Sequence, residues 1–130
     1  MTADTLRIPT AESLSAETLG QIALIQSMVF HLPDATSIFR FVCRGLAGVP
    51  GTARIGYRSI PADDASAAPP EDTPQAIRQF PLRLKDIEYG ELWIEVAAPH
   101  QFEPYVPYIE NLSFMLAVIF EERRQRRLIQ

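Results

Sequence analysis

From Leu112 to Phe120 the chain reads Leu-Ser-Phe-Met-Leu-Ala-Val-Ile-Phe, with Ser113 as the single polar residue. A surface helix of a globular domain keeps roughly half of its circumference polar, so an all-round apolar segment must be covered on more than one side. The pattern predicts one helix from Pro104 to Gln130, apolar in the middle and ending in Glu121-Glu122-Arg123-Arg124-Gln125-Arg126-Arg127. At ~1.5 Å per residue such a helix spans roughly 40 Å, about the width of a compact domain of this size. Its last turns are expected to overhang, with residues 121–130 starting an exit helix that leads a signal out of the domain.

A second amphipathic segment runs from about Leu14 to Leu32. Thr18, Ile22, Ile25, Val29 and Leu32 form one stripe at helical spacing, while Leu24 and Met28 form another, displaced around the cylinder. Pro33 stops this helix, because the residue before a proline is driven out of the α region. Asp34 is placed to cap the next helix by accepting first-turn N–H groups. That helix presents Ile38, Phe41, Val42 and Leu46 on one face and ends toward Gly48, the expected left-handed stop.

Alternation takes over at Thr52. Ala53, Ile55 and Tyr57 lie on one side of a strand to Ile60, and Arg54, Gly56 and Arg58 on the other. Residues 61–76 combine Pro, Ala and acids in a stretch too polar to pack, expected as a mobile acidic loop. Ile77 to Lys85 forms a strand with Phe80, Leu82 and Leu84 inward; Pro81 cannot donate to a ladder, so the strand lies at an edge or has its outward N–H position there. A short turn at Asp86-Ile87-Glu88 leads into Tyr89 to Val96, with Leu92, Ile94 and Val96 toward the core and Glu91, Trp93 and Glu95 opposite. The two strands form an antiparallel hairpin. The expected class is α+β, an antiparallel sheet in the order α-α-β-β-β-α between long N- and C-terminal helices. Residues 1–11 read as a flexible leader and 12–130 as one domain.

Composition narrows the function classes. A net charge of −4 provides no global field for nucleic acid or an acidic membrane surface. No run approaches the ~18 apolar residues of a membrane span, and the first residues lack a signal-peptide pattern, so a cytoplasmic location is the expectation. The single cysteine, Cys43, excludes an internal disulfide.

Three stretches resemble a GAF domain, the sensor module related to PAS domains. Phe41-Val42-Cys43-Arg44-Gly45-Leu46-Ala47-Gly48-Val49-Pro50-Gly51-Thr52-Ala53-Arg54-Ile55-Gly56-Tyr57 is similar to the family's second helix running into its first strand. Tyr89-Gly90-Glu91-Leu92-Trp93-Ile94-Glu95-Val96 resembles the strand in which a glycine precedes alternating apolar residues. Pro99-His100-Gln101-Phe102, followed by the helix through Tyr108 to Arg124, resembles the family's ending. The resemblance implies a sensor domain whose final helix continues toward a kinase, a cyclase or a further sensor. Members usually have six strands, with helices and loops between the middle strands walling a ligand pocket. Here the whole sheet lies between Thr52 and Val96, which implies a shortened domain with that pocket reduced or lost. The Asn-Lys…Phe…Asp-Glu signature of cyclic-nucleotide-binding relatives and the Cys-His pair of bilin-binding relatives are both missing, since Arg44 follows Cys43.

Candidate chemistry is sparse. Cys43 next to Val42 reads as core packing, because free cysteine is among the most buried residue types. His31 suits a helix C-terminus, where a cation meets the dipole. His100 sits in a turn, and neither histidine has partners at metal-ligand spacing. No serine stands with a histidine and an acid in an elbow, and Asp63-Asp64 and Glu71-Asp72 read as solvated. The expectation is no enzyme, no metal and no cofactor. Tyr57, Phe80, Tyr89 and Trp93 are the candidates for lining a residual pocket for an unidentified small molecule, with ordinary packing the stronger alternative for Tyr57 and Phe80. The arginines of the tail read as a solvated helix end.

The surplus of apolar faces predicts a homodimer through the N- and C-terminal helices, a bundle or coiled coil burying Ile22, Ile25, Val29, Leu116, Ile119 and Phe120. Six such side chains left in water would cost on the order of 10 kcal/mol at ~2 kcal/mol each. The favoured function is a non-catalytic sensory and dimerisation module of a signalling protein such as a sensor histidine kinase. The alternative is a free-standing scaffolding dimer without a ligand.

Overall fold

The computed structural model describes residues 14–71 and 76–129; the expected leader, 1–11, lies outside the described residues. The fold is α+β. Helix α1 (Ala16–Met28) starts at Ser15, whose Oγ accepts from the Thr18 N–H at 3.2 Å. It ends earlier than its apolar stripe suggests, tightening into a 3₁₀ turn at Val29–His31 before Pro33. Helix α2 (Ala35–Leu46) is capped as expected, Asp34 Oδ1 accepting from the Ser37 N–H at 2.8 Å. Gly48 does not provide the left-handed stop; the positive φ, +87°, belongs to Gly51. A Cβ there would lie 2.5 Å from the Ala98 carbonyl oxygen, so the close approach also demands glycine.

Four strands follow: β1 (Thr52–Ser59), β2 (Asp64–Ala65), β3 (Ala76–Leu84) and β4 (Ile87–Val96). They form one antiparallel sheet in the order β2-β1-β4-β3. Pro81 lies on β3, at the sheet edge, where its missing N–H costs no ladder bond. The fourth strand is a correction, because β2 lies inside the stretch expected to be a mobile loop. Arg58 pairs with Ala65 and Ser59 with Asp64. Two polar anchors hold it there: the Tyr57 hydroxyl donates to Asp64 Oδ2 at 2.7 Å, and Ser66 Oγ accepts from the Tyr57 N–H at 2.7 Å.

After β4 come a single turn, α3 (Pro99–Phe102), a 3₁₀ turn at Glu103–Tyr105, and α4 (Val106–Ile129). Helix α2 packs on β1 and α4 on β3 and β4, while α1 lies against both helices. Ile38, Phe39, Val42 and Leu46 of α2 are fully buried. Phe41, expected on that face, is only partly buried, and Phe39 takes its place. A helix packed between a sheet and another helix buries an arc wider than one stripe, which admits Phe39.

The stacking of α1 on α4 also corrects the expected dimer contacts. Ile22, Ile25, Val29, Leu116, Ile119 and Phe120 are all between 0 and 4% exposed within one chain. The sheet covers one side of α4 and α1 covers a second, so these six side chains are core and cannot meet a second copy. The apolar surface left outside is a different set: Leu24 and Met28 on α1, with Phe114 and Val118 on α4. No helix among the described residues is long and apolar enough to cross a membrane.

Candidate functional site

The four aromatic candidates do not converge. Tyr57, Phe80 and Tyr89 belong to the core cluster beneath the helices, whereas Trp93 is buried outside it. Tyr57 stacks on Phe39 at 5.1 Å between ring centroids, Phe39 on Phe120 at 5.5 Å, and Phe120 lies 6.2 Å from Tyr89. Phe80 packs 6.4 Å from Phe102. Tyr89 reaches this row because β4 carries a bulge. Glu88 pairs with Arg83 and Gly90 with Leu82, leaving Tyr89 as the extra residue turned toward the helices.

Trp93 faces the other side of the sheet. It pairs with Gly56 on β1, and a Cβ at Gly56 would sit 2.3 Å from the indole and 2.4 Å from Ser66 Oγ. The segment leaving β2 therefore crosses over Gly56 beside the indole, and neither terminal helix covers it. On the same face Glu95 is 3% exposed and accepts from Arg54 Nε at 2.6 Å. This side of the sheet is closed rather than open for a ligand.

The open site lies at the end of α4, a cleft of about 420 Å³. One wall is the α1–α2 connection, Pro33 to Ala35, and another is the turn after β1, Ile60 to Ala62. The start of β4, Ile87 to Tyr89, forms the floor with Phe120, and Arg123, Arg124 and Arg127 form the rim. Of the four aromatic pocket candidates only Tyr89 lines it, together with Phe120 from the expected dimer contacts. Of the arginines read from sequence as a solvated helix end, Arg123 instead folds over the α1–α2 connection, while Arg126 and Arg127 are exposed.

Each arginine has a distinct status. Arg123 Nη2 donates to the Leu32 carbonyl at 2.9 Å, supplying a donor to carbonyls that the end of α1 leaves without helical partners. Arg124 grips Glu121 with two bonds, at 2.9 and 3.1 Å. Glu121 also accepts from Gln125 Nε2 at 2.7 Å and from the Tyr89 hydroxyl. These donors, Arg124 foremost, hold the Glu121 carboxyl down to about 2. Arg127 has no ion-pair or hydrogen-bond partner among the described residues and projects into solvent. Two carboxylates also face the cleft. Asp34 is spent capping α2, its pKa lowered chiefly by the Ser37 N–H, and Glu88 accepts from Arg58 at 2.8 Å.

Two candidate nucleophiles away from the cleft are occupied or muted. Ser113 Oγ donates to the Ile109 carbonyl at 2.9 Å, and burial pushes the Cys43 thiol up to about 12. Among the described residues, no three His, Cys, Asp or Glu side chains gather as a metal site would need. The cleft can thus bind, through an apolar floor and a guanidinium rim, and it presents no assembled acid–base pair.

Sequence reasoning missed this site because its walls come from four separated segments. The one local clue is that Phe120, Arg123 and Arg127 lie on one helical face. Comparison with protein-family models, with curated proteins and with solved structures found no match for the chain.

Proposed function

We propose that this chain is a non-catalytic sensory and dimerisation module of the GAF type, acting in a signal-transduction protein and relaying through α4. The observation that carries the reading is that two helices in contact with each other both keep large apolar side chains exposed. Leu24 and Met28 of α1 and Phe114 and Val118 of α4 are 40–53% exposed. A second copy laid over these side chains removes the remaining area from water. At ~2 kcal/mol per fully buried side chain, four half-exposed ones on each of two copies contribute on the order of 8 kcal/mol in total. Association itself costs a comparable amount or more, so the isolated chain is expected to dimerise weakly. Sliding or rotation of paired α4 helices would then pass a signal to whatever follows them.

Sedimentation velocity from ten micromolar to one millimolar tests this. A concentration-dependent monomer–dimer equilibrium is expected, abolished by Leu24→Ser with Phe114→Ser while the melting temperature stays close to that of the parent. A strict monomer across the range removes the dimerisation reading.

A further inference from the structure

We propose that the cleft at the end of α4 binds an amphipathic organic monoanion, a molecule with a compact apolar body and one carboxylate- or sulfonate-type head. The volume, about 420 Å³, lies within the range of small-molecule sites. Ile60, Ile87 and Phe120 offer the apolar body a surface, and the head meets the rim of α4.

Recognition of the head falls on Arg123 and Arg127. Arg124 is neutralised by its two bonds to Glu121. Arg123 hydrogen-bonds only to backbone carbonyls and closes no ion pair, although its charge acts through space on Asp34, and Arg127 has no partner among the described residues. The two stand four residues apart on one face of α4, within reach of a single anionic group. A guanidinium offers a planar fork that matches a carboxylate or sulfonate. The opposite walls limit how much charge the cleft accepts. Asp34 and Glu88 line those walls, and a second acidic group on the ligand would be set against their carboxyl groups. The site therefore favours one anionic head over two. A ligand held this way ties the last turns of α4 to the turn after β1 and to the start of β4. Binding needs no second copy of the chain; only its transmission onward rests on the relay reading above.

The test uses two fluorescent probes on the full chain: the anion 8-anilinonaphthalene-1-sulfonate and its neutral relative N-phenyl-1-naphthylamine. The sulfonate is expected to bind saturably, one per chain, and octanoate to displace it. Arg127→Gln is expected to weaken the sulfonate about five- to tenfold, the range of one charge-assisted hydrogen bond at a wet site, and to leave the neutral dye within about twofold. Because Arg127 is exposed and unpaired, this variant keeps the fold, which far-ultraviolet circular dichroism verifies. Ile87→Gln is expected to weaken both dyes, and Phe114→Ser neither. Unchanged sulfonate affinity in Arg127→Gln overturns the proposal, as does absence of binding up to one millimolar. Loss of binding in Phe114→Ser with retention in Ile87→Gln also overturns it, by moving the dye to the exposed apolar side chains of α1 and α4. Saturable dye binding by a chain that sediments as a strict monomer supports the cleft while the dimer reading fails, so the two readings stand or fall separately.

Discussion

The hydroxyl of Tyr89 donates to the carboxylate of Glu121, joining the bulge of β4 to the point where α4 turns from apolar to charged. Their neighbours reinforce the join: Phe120 packs 6.2 Å from the Tyr89 ring, and Arg124 and Gln125 close on the same carboxylate. The sheet and α4 are thus coupled at one carboxylate, on the floor and rim of the cleft.

This coupling has a pH signature. Glu121 is held at about 2 in the fold against an ordinary value of 4.5, so its contribution is complete above about 4.5 and is lost as pH falls toward 2. Glu121→Gln cannot titrate there. Urea midpoints measured from pH 7 to pH 2 should show the parent more stable at neutral pH and the gap closing through that window. Tyr89→Phe removes the second-largest stabilising donor and should narrow the change without abolishing it. A gap that stays constant with pH would show that the carboxylate is not held this way.

Gly56 and Trp93 form a cross-strand pair that leaves no room for a side chain. A methyl at Gly56 would lie 2.3 Å from the rigid indole and 2.4 Å from Ser66 Oγ. Gly56→Ala is expected to destabilise by about 1–3 kcal/mol, the usual range for overpacking. As Trp93 is the single tryptophan and 5% exposed, native emission should be blue-shifted, and Gly56→Ala should move it toward the red. An unshifted spectrum with parental stability would refute the close contact.

Phe39 and Phe41 separate two descriptions of α2. Phe39 is fully buried between Tyr57 and Phe120, whereas Phe41 is partly exposed. Phe39→Ala is expected to cost about 3–5 kcal/mol in denaturant titration. Phe41→Ala should cost clearly less, since water already reaches that ring. The reverse ranking would return α2 to the orientation its simplest stripe suggests.

Burial alone pushes the Cys43 thiol up to about 12, leaving little thiolate at pH 8. An aromatic disulfide reagent should therefore modify the native protein on the order of 10³ times more slowly than the urea-unfolded chain, where the ordinary thiol value returns. Comparable rates would place Cys43 at the surface.

Local patterns carried much of the fold. The Asp34 cap, the edge position of β3 with its Pro81, the β3–β4 hairpin and the α+β class all follow from turn chemistry and periodicity over a few residues. The misreadings share a different cause. Two-residue β2 has no periodicity to detect, and Tyr57 and Ser66 anchor it through bonds that appear only once β1 exists. The bulge at Tyr89 shifts alternation by one place, which no count of apolar residues reveals. The four aromatic pocket candidates are all buried, and they face two sides of a sheet.

The chain by itself determined where the three long helices and the three long strands form, because capping, proline geometry and side-chain period act within a few residues. It also determined that α1 and α4 carry more apolar surface than one stripe. Which of those faces is covered was decided only by the tertiary structure. The docking of α1 on α4 buries Ile25 and Leu116 and leaves Leu24 and Phe114 outside. The same folding brings Pro33, Ile60, Ile87 and Arg127 around one cleft, since side chains far apart in sequence meet only when the layers pack.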